Sequence, residues 1–499
     1  MNRILQMKKL LLLSFILVFL FSAQKNAAQE VKKLTFSEVI KIAEDQSPQA
    51  LMAKHRFRSS YWQFRSYQAQ FRPGLTLRGT IPAYSNGFDK VYDANTNEYK
   101  YIPKKTITDQ AALSLSQAIG FSGTTISLQS DFLNFYDFEK LNRNYQTSPI
   151  SIRINQPIRM YNSLKWQTKI EPLKYIAAKK TFLSNIEDVH ATAVQYFFQL
   201  ALAQINKQIA VMNLSNSDTL YRIANGRYNL GTIAEEDLLQ MQLSYLNAVT
   251  DSKTADMNLR DREIRLRSFL GYNQNVRLEL ILPDTIPDLQ IDGKEVLDLA
   301  MANNPDIVTQ QLNILTAQSS VAQAKAAKGL TASLSASMGL STNGADLAYS
   351  LKNPSQSQAV NIGFTVPILD WGKGKGNYRM AQSSLELTQV QAQQAIVDFQ
   401  QNLALDVEQF NLQKNQVAIA AKSDTVAMRM FEVTKQRFLI GKIAILDLNN
   451  ADTKKDENKR AYVQALQNYW SYFYNMRSYA LYDFLNKKPL ETDYEKLLK

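Results

Sequence analysis

The 499-residue chain has no cysteine and only two histidines, His55 and His190. The first absence excludes disulfides, thiol nucleophiles and a lipidated N-terminal cysteine. The second, with no helical spacing between the two, speaks against a zinc site or a histidine-based catalytic centre. No Gly-x-Ser-x-Gly element, His-x-x-x-His pair or glycine-rich phosphate loop occurs either. Charged residues are scarce at 20% and apolar ones plentiful at 45%, which argues against disorder. Long apolar runs are missing except for Leu10 to Phe21, preceded by Arg3, Lys8 and Lys9 and followed by Ser22-Ala23 and Ala27-Ala28. A run of about 12 residues is short of the roughly 20 that span a bilayer. Residues 1–28 therefore read as a secretory signal peptide, cut after Ala23 or Ala28. Without its four basic groups the chain carries 53 − 45 = +8. That charge is spread along the helices, and an exported chain is not expected to meet nucleic acid. With no other apolar run, a place in a membrane requires a closed β-barrel.

What is present is a duplication. Glu38-Val39-Ile40 precedes Ser47-Pro48, and Glu295-Val296-Leu297 precedes Asn304-Pro305, an offset of 305 − 48 = 257. Later landmarks keep an offset of 210: Pro157 with Pro367, Arg227 with Arg437, Tyr228 with Phe438, Gly231 with Gly441, Asp237 with Asp447. The first half thus holds 257 − 210 = 47 additional residues between Pro48 and Pro157. Proline after Ser47 and Asn304 suits the first turn of a helix, expected to run to about Phe71 and Lys328. Alternation follows: Leu75, Leu77, Gly79 and Ile81 in one half, Ala332, Leu334, Ala336, Met338 and Leu340 in the other. The expected returning strands are 150–154 and 360–366. Period two gives one apolar and one polar face, as in a sandwich or a transmembrane barrel. The additional residues contain two more such stretches, 111–116 and 125–130, around Gly120-Phe121-Ser122-Gly123. They read either as added barrel strands or as part of an external structure. Residues 82–109 read as a polar surface loop.

Proline is absent from 173–282 and from 368–488. These segments are rich in Ala, Leu, Gln and Lys, strong helix formers, and Ile396, Leu403, Phe410 and Val417 recur every seven residues, a coiled-coil spacing. Gly226 and Gly231 are expected to interrupt the first segment and Gly441 the second. Around the latter two glycines, Arg227–Gly231 and Arg437–Gly441 end one helix. Acidic residues (Glu235, Glu236 and Asp237; Asp447) open the next, where they complement the helix dipole.

The order of short helix, long helix, strand pair, very long helix, tip and returning helix, given twice, resembles the TolC family of outer-membrane efflux and secretion channels. The resemblance covers nearly the whole chain after residue 28. It rests on the duplication, on Gln156-Pro157-Ile158 echoed by Val366–Gly372, and on the two Arg-aromatic-x-x-Gly-x-x-x-x-x-Asp tips. It implies an α+β membrane protein: a trimeric transmembrane β-barrel continued by a long periplasmic coiled-coil barrel. The division would be a signal peptide (1–28), a first repeat (29–285; strands about 75–158, helical hairpin 160–270), a second repeat (286–486; strands about 331–368, hairpin 373–486) and a tail (487–499). The implied role is a passive gated duct of a tripartite pump or type I secretion system, with no enzymatic activity, cofactor or metal. Its implied partners are two further copies, outer-membrane lipid, a periplasmic adaptor and an inner-membrane transporter. The gate and adaptor-docking candidates are Arg227, Tyr228, Gly231, Glu236, Asp237, Arg437, Phe438, Gly441, Asp447 and Asn450. The family's gate places Tyr, Arg and two Asp on the second tip; here those positions are Phe438, Ile443, Asp447 and Asn450, which weakens a salt-bridge latch. A periplasmic coiled-coil adaptor or scaffold would explain the helices but not the two strand pairs.

Overall fold

The computed structural model describes residues 30–498 except 273–275, 284, 353, 441 and 444. The segment expected to be a signal peptide (1–28), Gly441 and Ala444 lie outside the described residues. In chain order the elements are β1 (Glu30–Thr35), α1 (Phe36–Gln46), α2 (Pro48–Ala69), β2 (Gly74–Asp93), β3 (Glu98–Ile119), β4 (Thr124–Asp137), β5 (Asn142–Arg159), α3 (Ser163–Asn229) and α4 (Glu235–Leu270). The second half gives β6 (Val276–Ile281), α5 (Gly293–Asn303), α6 (Pro305–Ala327), β7 (Thr331–Gly344), α7 (Leu347–Lys352), β8 (Ser355–Thr365), α8 (Lys373–Leu439) and α9 (Ile445–Ala480). The chain closes with β9 (Tyr482–Asp483), β10 (Lys488–Pro489) and α10 (Tyr494–Leu498).

The Ser-Pro and Asn-Pro pairs act as helix starts. The Ser47 hydroxyl accepts from the Ala50 N–H and the Asn304 amide oxygen from the Asp306 N–H, with proline at the first helical positions of α2 and α6. Each cap satisfies a backbone donor that the helix itself leaves orphaned. The long helices match residue for residue: α3 and α8 each have 67 residues, α4 and α9 each 36. Their starts differ by 373 − 163 = 210 and 445 − 235 = 210. At about 1.5 Å per residue the longer pair extends about 100 Å. Gly226 does not interrupt α3, contrary to the expectation. It lies within the last turn, where its carbonyl accepts from Leu230 N–H at 3.2 Å. A lone glycine costs a helix only about 1 kcal/mol, too little to break one held by packing along its length.

All six long strands form one antiparallel sheet, in the order β2-β3-β4-β5-β7-β8. The additional hairpin therefore lies in the wall, between β2 and β5. Residues 82–109 are not a loop. They continue β2 and β3 as a paired ribbon from Ala83↔Thr108 to Asp93↔Glu98. The polar composition suggested a loop, but cross-strand pairing satisfies the backbone whatever the side chains, and Tyr, Val and Ile there favour strand. Matched rows cross the sheet. Leu75–Leu115–Leu128–Ile152–Met338 makes one apolar row, and Thr76–Ser114–Gln129–Ser151–Gly339–Ser357 a polar row on the other face. Gly339 is required there, since a Cβ would come within 2.5 Å of the Ile150 carbonyl oxygen.

Below the sheet the helices form a single layer. In the lower part α4 packs on α3, α3 on α9 and α9 on α8; nearer the sheet α2 packs on α3, α3 on α6 and α6 on α8. Midway, a parallel β1–β6 pair, α1, α5 and the β9–β10 hairpin wrap the layer. The main core lies here, with Phe197, Phe198, Phe410, Tyr469 and Phe473 fully buried. Burying each such ring contributes about 1.5–3 kcal/mol. The tail is part of this body: Tyr494, Leu497 and Leu498 pack against Phe57 and Phe182.

Candidate functional site

The sheet is built for two solvents. Its apolar face is bare: Leu77 is 73% exposed, Val360 70% and Phe364 72%. Its polar face is concave and forms a groove lined by Arg78, Gln110, Gln129, Asp131 and Arg153, where Arg153 pairs with Asp131 at 3.0 Å. Apolar outside and polar inside is the pattern of a transmembrane barrel wall. Among the described residues the end strands β2 and β8 each leave one edge unpaired, and open edges do not face lipid.

The helical layer has matching edges. On α8, Leu403, Phe410 and Val417 are buried, while a second heptad series two residues on, Leu405, Leu412, Ile419, Val426 and Val433, continued by Ile440 just past the helix end, is exposed. The opposite edge, α4, exposes Leu239, Leu243, Leu246, Met257 and Ile264. The second series has the same seven-residue spacing in the sequence, but spacing alone does not tell a seam buried within the subunit from one left bare. A polar groove between α3, α4 and α9 is lined by Asn206, Asn213, Gln240, Asn247 and Asp251.

The two tips close alike. In the first, Thr232 N–H donates to the Arg227 carbonyl (2.9 Å) and Gly231 N–H to the Tyr228 carbonyl (2.8 Å), with Gly231 at φ 70°. These are the two bonds of a Schellman turn, which requires a left-handed residue. In the second, Lys442 N–H donates to the Arg437 carbonyl at 3.0 Å, the same bond at the corresponding position of the second half. Leu230 and Ile440, which also correspond, point into solvent at 79% and 66% exposure. Arg227, Tyr228, Glu236, Asp237, Arg437, Asp447 and Asn450 are all exposed. Phe438 is different: it packs with Leu220 of α3 against Phe431, Leu448 and Ala451, joining the two hairpins.

A buried charge cluster near the main core had no signal in the sequence, because its bonded members lie up to 290 residues apart. The Arg477 guanidinium forks onto Glu187, Nε to Oε2 at 2.8 Å and Nη2 to Oε1 at 2.9 Å, and its Nη1 lies 3.3 Å from Asp483. His190 lies between Glu44 (3.3 Å) and Glu187 (3.4 Å). Burial pushes the Glu187 carboxyl up, but His190 and Arg477 outweigh it and leave the group below its ordinary value. Burial likewise works against the His190 imidazolium, yet the two carboxylates hold its pKa above the ordinary value. The cluster ties α1, α3 and α9 to the C-terminal segment; it is a clamp, with no nucleophile. Among the described residues no group of acidic, histidine or cysteine side chains is arranged to hold a metal.

The model of the family described as "Outer membrane efflux protein" matches residues 39–272 and 296–477. The chain belongs to the outer membrane efflux protein family. Its fold is shared with solved channels of that kind. The CmeC outer membrane channel of Campylobacter jejuni superposes with a TM-score of 0.66 at 15% identity, covering 92% of this chain and 88% of that one. The outer membrane protein VceC of Vibrio cholerae gives 0.60 at 15% identity, with 91% and 97% covered. The open state of the Neisseria gonorrhoeae MtrE channel gives 0.54 at 15% identity, with 92% and 91% covered. No curated protein sequence matches the chain. As a family member the chain is one subunit of a trimeric outer-membrane exit duct, a passive channel and not an enzyme, with its helices in the periplasm.

Proposed function

We propose that this duct serves an export machine in which an inner-membrane pump, through a periplasmic adaptor, opens the tips and drives cargo outward. Three copies would supply 3 × 6 = 18 strands from the six-stranded sheet, with β8 of one subunit meeting β2 of the next. In the helical layer the exposed seam of α8 would meet that of α4, a head-to-tail contact that closes into a ring. The polar groove of the barrel and the Asn- and Gln-rich helical wall make a wet path.

One observation carries the adaptor reading: two tips, at corresponding positions of the two halves, turn by the same hydrogen bond and each offers a bare aliphatic side chain, Leu230 or Ile440. Such a residue on a two-helix end is an anchor for a third helix laid into the groove. Leu220 and Phe438 join the tips of one subunit by packing on the same apolar cluster of Phe431, Leu448 and Ala451, and Ile443 and Asn450 carry no charge for a salt-bridge latch. The acids Glu236, Asp237 and Asp447 stand exposed at helix starts, where they favour cations approaching the closed end.

The test replaces the tip in living cells. Leu230→Asp with Ile440→Asp, and separately Gly231→Trp with Gly441→Trp, should leave oligomer yield and membrane insertion unchanged and abolish export. A Cβ at Gly231 meets nothing within 4 Å, so the cost there is that of the positive φ alone, on the order of 1 kcal/mol. Normal export with normal oligomer in both double variants would remove the tips as the docking surface.

A further inference from the structure

The β2–β3 ribbon rises far above the rest of the wall, and its two faces differ in charge. The outermost strand β8 has 11 residues, about what a tilted strand needs to cross a bilayer. Its upper end, Ser355, pairs with Ser341; the next row is Thr342–Thr147–Phe132–Ala111. From Ala111 the ribbon continues upward along β3 to its end at Glu98. At roughly 3.3 Å per residue that is about 43 Å along the strand, and about 30 Å along the membrane normal after tilt.

Register assigns every side chain on this ribbon to a face. The outward series on β3 continues from Leu115, Leu113 and Ala111 through Ile107, Lys105, Pro103, Tyr101 and Tyr99; their β2 partners are Tyr84, Asn86, Phe88, Lys90 and Tyr92. The ribbon's acids Asp89, Asp93 and Glu98 fall on the opposite, inward face, where Asp89 and Asp93 pair with the inward Lys104 (2.7 Å) and Lys100 (2.5 Å). Lys90 and Lys105 face outward. So does Arg143, by its pairing with Tyr136, which pairs with Ile107. Among the described residues these three cations form no ion pair and rest on rings instead. Lys90 lies 4.3 Å from the Tyr99 centroid, Lys105 5.4 Å from Phe138, and Arg143 5.1 Å from Tyr136. Asp109, an outward acid lower on β3, already accepts from Asn134 at 2.9 Å.

We propose that this outward face binds the headgroup of a phosphorylated glycolipid in the outer leaflet. Three features point to it. The face is continuous with the lipid-facing apolar belt below it. Its unpaired cations suit phosphate, and rings such as Tyr99 (61% exposed) and Tyr101 (69%) suit the apolar faces of sugars. Height decides between lipid classes. The headgroup layer of a bilayer adds only about 5–8 Å per side, which cannot reach Lys90 and Tyr99; a headgroup of several sugars can.

The test uses the full-length oligomer in mild detergent, stripped of lipid. It is titrated with an acylated glucosamine disaccharide bisphosphate that carries a phosphorylated oligosaccharide core, the same lipid without phosphates, phosphatidylglycerol and inorganic phosphate, with bound lipid counted by native mass spectrometry. The bisphosphate should bind at least tenfold more tightly than the other three. The outward triple variant Lys90→Gln, Lys105→Gln, Arg143→Gln should lose at least tenfold in that affinity, with the oligomer intact. The inward pair Lys100→Gln, Lys104→Gln should stay within twofold. Equal binding by the triple variant, an equal loss in the inward pair, or phosphatidylglycerol binding as tightly as the bisphosphate would each overturn the proposal. If the triple variant fails to assemble, Lys105→Gln alone decides, with about threefold weakening expected and none overturning it. Export is measured alongside; its loss in the tip variants, or its survival there, leaves this result unaffected.

Discussion

The two halves of the chain agree to the residue in their long helices and disagree by two whole strands in their sheet. The difference shows which dimension of the duct is constrained. Both helical hairpins run side by side in one layer from the barrel to the tips, packed along α3 and α9. An insertion in one would push its tip past the other by about 1.5 Å for each added residue and break every heptad contact on the way. A hairpin added between β2 and β5 only widens the wall, because each new strand pairs with its neighbours and carries the same alternation.

The strongest way to break this comparison is to shorten one half. Removing seven residues each from α8 and α9 keeps the heptad register but draws the second tip back by about 10 Å. Export should vanish while the oligomer still inserts, and removing seven residues each from α3 and α4 as well should restore it at least in part. Export that survives the one-sided deletion would show that equal hairpin length is not a requirement. A second route is to make the sheets agree. Excising 98–137 removes β3 and β4 and leaves β2 and β5 as an up-and-down pair like β7 and β8. The barrel should then insert with its diameter reduced by about a third, since diameter grows roughly linearly with strand number; electron-microscopy projections measure it. An unchanged diameter would place the additional pair outside the closed wall.

Smaller effects test the clamp that holds the halves together. Glu187→Ala takes both forked hydrogen bonds from Arg477, only 15% exposed, and leaves it Asp483 alone; it should cost about 3 kcal/mol, the low end for a broken buried pair, read as a lower melting temperature of the oligomer. Glu187→Gln should lose less, because one hydrogen bond survives. The same cluster sets a pH dependence. With its pKa raised, His190 contributes stability that is fully present below its ordinary value of about 6.5 and fades as pH rises through the folded-state value. Glu187, with its pKa lowered, contributes stability that is present above the ordinary carboxylate value and fades as pH falls through the folded-state one. Melting temperature should thus decline by a few degrees on the alkaline side, and His190→Gln should flatten that slope alone; an unchanged slope would remove His190 as its source. The smallest contrast lies within a single helix end. Gly226→Ala should stabilise by about 0.5–1 kcal/mol, being helical with open space around it. Gly231→Ala should destabilise by a similar amount because of its φ of 70°.

The sequence by itself determined the elements and their order. Local rules suffice for these: Ser47-Pro48 and Asn304-Pro305 start helices through contacts within a single turn, Gly231 ends one through its own backbone, and period two in 75–81 or 360–366 selects a strand whatever it later pairs with. The duplication, and with it the family, was legible for the same reason. Only the tertiary structure decided how the elements add up. It placed the additional strands inside the wall and turned residues 82–109 from an expected loop into a ribbon, because strand pairing is a partnership between distant backbones that composition does not register. It joined Glu187 to Arg477 and set Leu220 and Phe438 on one apolar cluster, meetings between opposite halves of the chain. It also sorted the ribbon's lysines by face, since a side chain's side of a sheet depends on the register and bulges of its neighbours, and one slipped residue reverses it.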